Sequence, residues 1–392
     1  MTNQTAHRFR PFGTTIFTEM TKLAAKHKAV NLSQGFPDFD GPMIGKEAAS
    51  QAVLHGHNQY APLGGMPQLS QAIARWVNDF YGLSYDPASE ITVTSGCTEA
   101  IVASFMGLVN PGDEVILFEP FYDSYRACVA MSGAVQKTVS IVSGPDGFTF
   151  DHEQLKAAFS DKTRAILVNT PHNPTGMVLG DEQLTLIADL CKKHDAIALS
   201  DEVYERLTYD GHVHRSIATL PGMRERTVIM SSLGKTFSLT GWKVGWTVAP
   251  PELTAGVRSA HQFITFSVPG PMQMGAAELL DHARDEIDTQ LTQFTRTRQV
   301  LGEALSEMGF GVHLPDGAYF IMADHRAVSE RLGLKDDIEL CRWLPEHAGV
   351  AAIPPSGFYE STQLGAGFVR FCFCKKMTTI DQAIERLRKA LA

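Results

Sequence analysis

Apolar positions recur at helical spacing across residues 15–27, at Ile16, Phe17, Met20, Leu23 and Ala24, and predict a helix that begins at Thr15, followed by a short strand over 30–33. Gly35, Pro37, Asp38 and Gly41 then break the pattern into a loop, and Asn58-Gln59-Tyr60 with Pro62, Gly64 and Gly65 form a second loop ahead of a helix starting near Pro67. Beyond these, short runs of consecutive apolar residues alternate with longer amphipathic stretches. Strands are predicted at 91–94, 114–118, 165–168, 197–199 (ending at Asp201), 227–231 and 244–248, and helices at 98–109, 121–131 and 182–194. Strands apolar throughout and joined by helices belong to a mostly parallel sheet with helices on both faces, an α/β architecture. After about residue 285 the texture changes. A long helix over 284–308 leads to short strands at 311–314 and 318–323, a helix at 338–347, strands at 350–353 and 368–373, and a last amphipathic helix at 379–391, the pattern of a smaller α+β unit.

In such a parallel sheet ligands gather outside the carboxyl ends of the strands. The polar residues standing just past predicted strands, Ser95 to Thr98, Asn169 to Gly176, Asp201 to Tyr204 and Ser231 to Lys235, are therefore expected to converge.

Composition narrows what they converge on. A chain of 392 residues, 44% hydrophobic, can fill a sizeable core. Its net charge of −9, from 34 basic and 43 acidic residues without a basic run, argues against a nucleic-acid surface. The six cysteines lack CxxC spacing, so neither a disulfide framework nor a zinc site is expected, and no metal is called for. Cys372 and Cys374, two apart on a predicted strand, should lie side by side as small buried residues. No stretch has signal-peptide or membrane-span length, which makes the cytoplasm the expected location, with Arg8 and Arg10 in an acid-poor start leaving organelle targeting as the alternative.

The chemistry centres on SSLGKTFSLTGWKVGW, residues 231–246. Gly234 permits a tight turn and Lys235 follows it, flanked by Ser232 and, further on, by Lys243. Such a lysine suits Schiff-base chemistry with pyridoxal phosphate, provided burial or a nearby cation keeps its amine neutral. The rival reading, a nucleotide-binding GxxxxGK[ST] loop, fails because Ile229 stands where the first glycine is required, and no GxGxxG occurs in the chain. Gly96-Cys97-Thr98 lies between a strand and a helix N-terminus, a seat for phosphate. Asp201 is either a capping aspartate or the carboxylate that keeps a pyridine nitrogen protonated, while Asn173 and Tyr204 can donate to the ring oxygen. Tyr122 can stack on a ring face, although helix packing would suit it equally. Arg370, inside the apolar run FVRFCF, needs an anion: an internal carboxylate, or a substrate carboxylate gripped by both arms of its fork.

NLSQGFPDFDGP, NQYAPLGG, SGCTEA, DEVILFEPFYDSY, NTPHNPTG, SDEVYE, the lysine stretch, GAYF and VRFCF together span nearly the whole chain. On them the sequence resembles the fold type I pyridoxal-phosphate aminotransferases, and within them the methionine and kynurenine aminotransferase-like group. The resemblance implies a large cofactor-binding domain over 47–285 and a smaller domain over 286–392, with 1–46 as an N-terminal arm that joins the smaller one. It implies that Lys235 forms the Schiff base with pyridoxal 5'-phosphate and shuttles the proton between the substrate α-carbon and the cofactor. Asp201 would pair with the ring nitrogen, Asn173 and Tyr204 with the ring oxygen, and Tyr122 would stack. Cys97 (by its backbone N–H only), Thr98, Ser232 and Lys243 would hold the phosphate, with Tyr60 reaching in from the partner subunit of a homodimer with shared active sites. Gly35, Asn173 and Arg370 would bind the α-carboxylate, and Phe17 and Phe266 would wall the side-chain pocket. Lys243 departs from relatives that carry arginine there, so its grip on phosphate is a point charge. The implied activity is ping-pong transfer of an amino group from methionine, an aromatic amino acid or kynurenine to a 2-oxo acid. The alternatives are a β-lyase acting on cysteine conjugates, a ligand-sensing regulator, for which the N-terminus offers no room for a DNA-binding module, and a pseudoenzyme, disfavoured because Lys235, Asp201 and Arg370 are all present.

Overall fold

A computed structural model describes residues 4–13 and 16–392; Thr15, where the first predicted helix begins, lies outside the described residues. Helix α1 (Ile16–His27) leads to β1 (Val30–Asn31), α2 (Met43–Leu54) and α3 (Pro67–Tyr81). The alternating stretch runs β2 (Ile91–Thr94), α4 (Gly96–Leu108), β3 (Glu114–Glu119), α5 (Asp123–Ser132), β4 (Val135–Gly144), β5 (Gly147–Phe150), α6 (His152–Ala158), β6 (Thr163–Asn169), α7 (Asp181–Lys193) and β7 (Ile197–Asp201). It continues through β8 (Thr227–Ser232), α8 (Leu233–Thr236), β9 (Gly245–Val248), α9 (Pro251–Ile264) and α10 (Gly270–His282). The remainder is α11 (Arg284–Glu307), β10 (Gly311–Val312), β11 (Phe320–Asp324), α12 (Arg326–Leu332), α13 (Asp337–Trp343), β12 (Val350–Ala351), α14 (Thr362–Gly365), β13 (Phe368–Cys372) and α15 (Met377–Leu391).

Eight strands form one sheet in the order β2-β9-β8-β7-β6-β3-β4-β5. Strands β3, β4, β6, β7 and β8 run parallel, whereas β9 is antiparallel to both β2 and β8, and β5 closes the far edge as a hairpin with β4. Every residue of β7 and β8 is buried. Helices covering both faces exclude water from both sets of alternating side chains of the central strands, which carry apolar runs at 165–168 in β6, 197–199 in β7 and 228–230 in β8. Polar residues take over at their carboxyl ends, which close on Asn169, Asp201 and Ser232.

Helix α4 sits between this sheet and α9, and the two helices meet at glycines. A Cβ on Gly107 would lie 2.2 Å from the Gly256 carbonyl oxygen, and one on Gly256 would lie 2.7 Å from that of Gly107. Only hydrogen at both positions permits this approach.

Strands β10, β11 and β13 form an antiparallel sheet in which Arg370 pairs with Met322. The short β1 pairs in parallel with β12, Val30 beside Val350, so the N-terminal segment is stitched to the C-terminal one.

The structure departs from the sequence expectations in local detail. Lys235 is carried on α8, a single helical turn, and not in an open loop. The helix expected over 338–347 stops at Trp343, because Pro345 has no N–H to continue the ladder, and the chain widens into a looser turn over Leu344–Ala348. Strand β13 ends at Cys372, yet Cys372 and Cys374 do lie together, Sγ to Sγ 3.2 Å, both buried. All six cysteines are buried and free. No helix among the described residues is long and apolar enough to cross a membrane.

Candidate active site

The polar ends of β2, β6, β7 and β8 do converge, on a cavity of about 220 Å³ lined by Thr98, Asn173, Asp201, Ser232, Lys235 and Lys243, among others. Asp201 marks one end. Its carboxylate accepts from the Tyr125 hydroxyl at 2.8 Å (Oδ2) and from the Val203 N–H at 3.3 Å (Oδ1), and the Cys97 thiol lies 3.7 Å from Oδ1. Cys97, which lines the cavity, therefore contributes its side chain to the carboxylate, where the sequence had assigned it only a backbone N–H. Burial raises the Asp201 pKa, and the Tyr125, Val203 and Cys97 bonds oppose that rise. Tyr125 has no signal in the sequence that separates it from Tyr122 three residues earlier. Tyr122 caps the start of α5, packs edge-on against Tyr125 at 5.7 Å, and lines the cavity.

The other end is cationic. Gly96 opens α4 at φ +72°, with no side-chain cap on the helix to take up its first N–H groups, and Gly96, Cys97 and Thr98 all line the cavity. Lys243, itself held at φ +54°, brings Nζ to 3.1 Å from where a Gly96 Cβ would stand, and it has no carboxylate partner among the described residues. Strand β9 presses on the same turn: a Cβ on Gly245 would come within 2.6 Å of the Cys97 nitrogen. A buried carboxylate at one end, and an unpaired ammonium with a helix N-terminus at the other, fit a flat group carrying a protonatable ring nitrogen and a phosphate.

Lys235 and Tyr204 line both this cavity and an adjoining one of about 310 Å³ that holds Gly35, Phe17, Phe320 and Arg370. The Lys235 ammonium donates to the Gly35 carbonyl at 3.1 Å, and the Tyr319 hydroxyl donates to the same oxygen at 2.6 Å. Burial pushes the Lys235 pKa down, and the cation that adds to it is Arg370, where the sequence had pointed to Lys243. Burial also holds Tyr204 well above the usual phenol range, so it is a hydrogen-bond donor.

Arg370 is almost fully buried, and no carboxylate lies within ion-pair distance among the described residues, which removes the internal-partner reading. Its Nη1 donates to Asn173 Oδ1 at 3.2 Å and Nη2 to the Ser33 carbonyl at 3.0 Å, while Nε has no partner at all. The guanidinium carbon lies 4.2 Å from the Phe320 ring, 5.2 Å from Phe17 and 5.4 Å from Phe358. A fork held by aromatic faces with a donor left over is prepared for an anion that enters from the cavity. Asn173, whose own N–H is fixed by Asn169 Oδ1 at 2.8 Å, keeps its remaining amide donor for the same space.

Two expected site residues are not brought to this cavity. Tyr60 is 84% exposed and packs edge-on against Phe266 at 5.3 Å. Phe266 leaves the end of α9 at φ +70°, its N–H turned back to the His261 carbonyl, and its half-exposed side chain lines neither the Asp201 cavity nor the Arg370 cavity. Phe17 does reach the site, stacked on Phe358 at 5.5 Å.

Comparison with known proteins agrees with this chemistry. A family model described as "Aminotransferase class I and II" matches residues 27–387. The chain is 44% identical over 391 residues to a probable N-succinyldiaminopimelate aminotransferase of Mycobacterium tuberculosis, covering 98% of each. The solved structure of the M. tuberculosis N-succinyldiaminopimelate aminotransferase superposes with a TM-score of 0.95 over 99% of this chain and all of that one, at 44% identity. This chain is 43% identical over 378 residues to the methionine aminotransferase of Escherichia coli, covering 96% of each. The solved structure of an E. coli methionine aminotransferase gives a TM-score of 0.93 at 41% identity, over 98% of this chain and 99% of that one. Mouse kynurenine–oxoglutarate transaminase 3 is 40% identical over 406 residues, 98% of this chain and 89% of its own.

Proposed function

The chain belongs to the class I and II aminotransferases, and on that premise we propose that its amino donor is an apolar, sulfur-bearing or aromatic L-amino acid, methionine first, with aromatic amino acids and kynurenine behind it. That it is a pyridoxal-phosphate enzyme moving an amino group from an amino acid to a 2-oxo acid follows from the family itself. The observation that carries the choice of donor is the Arg370 anchor: one buried fork for an α-carboxylate, walled by Phe17, Phe320 and Phe358. A screen of amino acids that follows loss of the cofactor's visible band tests it, and methionine failing to bleach the enzyme while aspartate did so would overturn it.

When bound, pyridoxal phosphate supplies an aldehyde that condenses with amines and a conjugated ring that accepts the electron pair of a breaking α-bond. In our reading Lys235 anchors it, Asp201 holds the ring nitrogen, Asn173 and Tyr204 donate to the ring oxygen, and Tyr122 covers a face. The N–H groups of Cys97 and Thr98, the Thr98 and Ser232 hydroxyls and Lys243 take the phosphate. Arg370 fixes the substrate α-carboxylate beside Asn173 and Gly35. Lys235 Nζ, whose pKa burial lowers, takes the proton from the substrate α-carbon and delivers one in the following step.

Tyr125 enters this scheme as a positioning residue. Tyr125→Phe removes a charge-assisted bond of about 1.5 to 3 kcal/mol from the Asp201 carboxylate and lets its pKa rise further. Cofactor dissociation constants, measured by absorbance titration, are expected to rise roughly 10- to 100-fold by the same estimate; an unchanged constant removes Tyr125 from the site.

We also propose a homodimer, a cytoplasmic location, and a division into a large domain over 47–285 and a smaller one over 286–392 that residues 1–46 join. Support for the dimer is the exposed Tyr60–Phe266 pair, which lines neither cavity of its own chain's site. In a two-fold assembly each copy lends that pair to the other. Co-expression of a Lys235→Ala chain with a Tyr60→Ala chain would give a heterodimer with one site carrying both lesions and one carrying neither. Activity is expected to reappear in it; a heterodimer no better than its parents, or an active monomer, rejects the shared site.

A further inference from the structure

Beside the Arg370 cavity lies a third, of about 350 Å³, between the N-terminal segment and α5, walled by Phe9, Phe12, Ile16 and Phe358 among others. Two residues line both: Phe17 and Asp123. Phe17 and Asp123 therefore stand where the Arg370 cavity and the apolar space adjoin. Asp123 opens α5, accepts the Ser124 N–H, and has no ion-pair partner among the described residues. Its nearest cationic influence is Arg370, while Arg126, the other charge on the outer cavity, lies with its guanidinium 5.2 Å from the Phe121 ring.

We propose that Asp123 sets side-chain specificity, its carboxylate turning away donors and oxo acids with a second carboxylate near the α-carbon and accepting a hydrogen bond from those with a neutral N–H donor there. Two carboxylates sharing a partly buried site repel, because neither can shed its charge into water. An amide of the same shape has no such penalty and can donate. The inference rests on the aminotransferase reading of the neighbouring site and adds to it the class of side chain admitted.

Glutamine and glutamate are isosteres that differ only in this respect. The cofactor-loaded enzyme is expected to favour glutamine in kcat/KM, and Asp123→Asn, which keeps the helix-start acceptor, is expected to shrink that preference, read as a ratio within each enzyme, at least about tenfold. Melting temperature and cofactor absorbance confirm that the variant is folded and loaded. An independent readout is competition with methionine by two unreactive analogues, glutarate and its mono-amide: the wild type should hold the mono-amide more tightly, and Asp123→Asn should level the pair. An unchanged glutamine-to-glutamate ratio, an unchanged analogue pair, or a loss spread equally over methionine and both isosteres overturns the proposal. Failure of the underlying donor reading would look different, as a wild-type enzyme that holds cofactor but does not turn over methionine.

Discussion

Lys235→Ala is expected to abolish transamination while leaving the fold intact. In the proposed reading the amine anchors the cofactor and moves the α-proton, and no other amine lines both the Asp201 cavity and the Arg370 cavity among the described residues. A positioned general acid–base alone contributes about 10²- to 10⁴-fold, so kcat should fall by at least about 10⁴-fold once the anchor is lost as well. Folding should not suffer, because the substitution removes a cation whose burial already lowers its pKa and whose one direct bond is to the Gly35 carbonyl, still served by Tyr319. Circular dichroism and single-turnover assays of the purified variant check both halves. Residual turnover above a few per cent of wild type would remove Lys235 from the chemistry.

Arg370→Lys is expected to weaken the amino donor and the oxo acid together, since both present the same α-carboxylate. Lysine keeps the charge but loses the planar fork, the bonds to Asn173 and the Ser33 carbonyl that orient it, and its fit among the rings of Phe17, Phe320 and Phe358. The loss is about 1 to 3 kcal/mol for each substrate, visible as parallel increases in both KM values and in the dissociation constants of unreactive analogues. A change confined to one of the two substrates would show that the shared-carboxylate role is wrong.

Much of this site was legible because the sheet is buried on both faces. Strands β6, β7 and β8 each carry a short apolar run, 165–168, 197–199 and 228–230, so the polar residues that follow, from Asn169, up to Asp201 and from Ser231, marked their carboxyl ends before any fold was known. Arg370 was legible for the complementary reason, a charge inside an apolar strand. The antiparallel course of β9 was not, because direction leaves no trace in a four-residue apolar run. Helices α2 and α10 escaped because they pack through small residues, Gly45 and Gly275 among them, and carry no clear apolar stripe. The β4–β5 hairpin did carry a signal, alternation about Val139 and Ile141 and a Gly144-Pro145-Asp146-Gly147 turn, which the strand-and-helix reading passed over. Tyr125 and Asp123 had none, since their partners are distant in sequence and only the fold supplies them.

The glycine crossing of α4 on α9 gives the cofactor seat a mechanical lever. Gly107 stands 11 residues from Gly96 along one helix, roughly 16 Å at 1.5 Å per residue. A methyl group there meets the Gly256 carbonyl, which cannot yield. A stiff rod relieves such a clash by sliding or tilting, and its far end, wedged under Gly245 and beside Lys243, would move with it. The seat can thus be spoiled by a change that touches neither cofactor nor substrate, and a variant of this kind would look, in a catalogue of inactive mutants, like an unexplained packing lesion about three turns from anything that reacts.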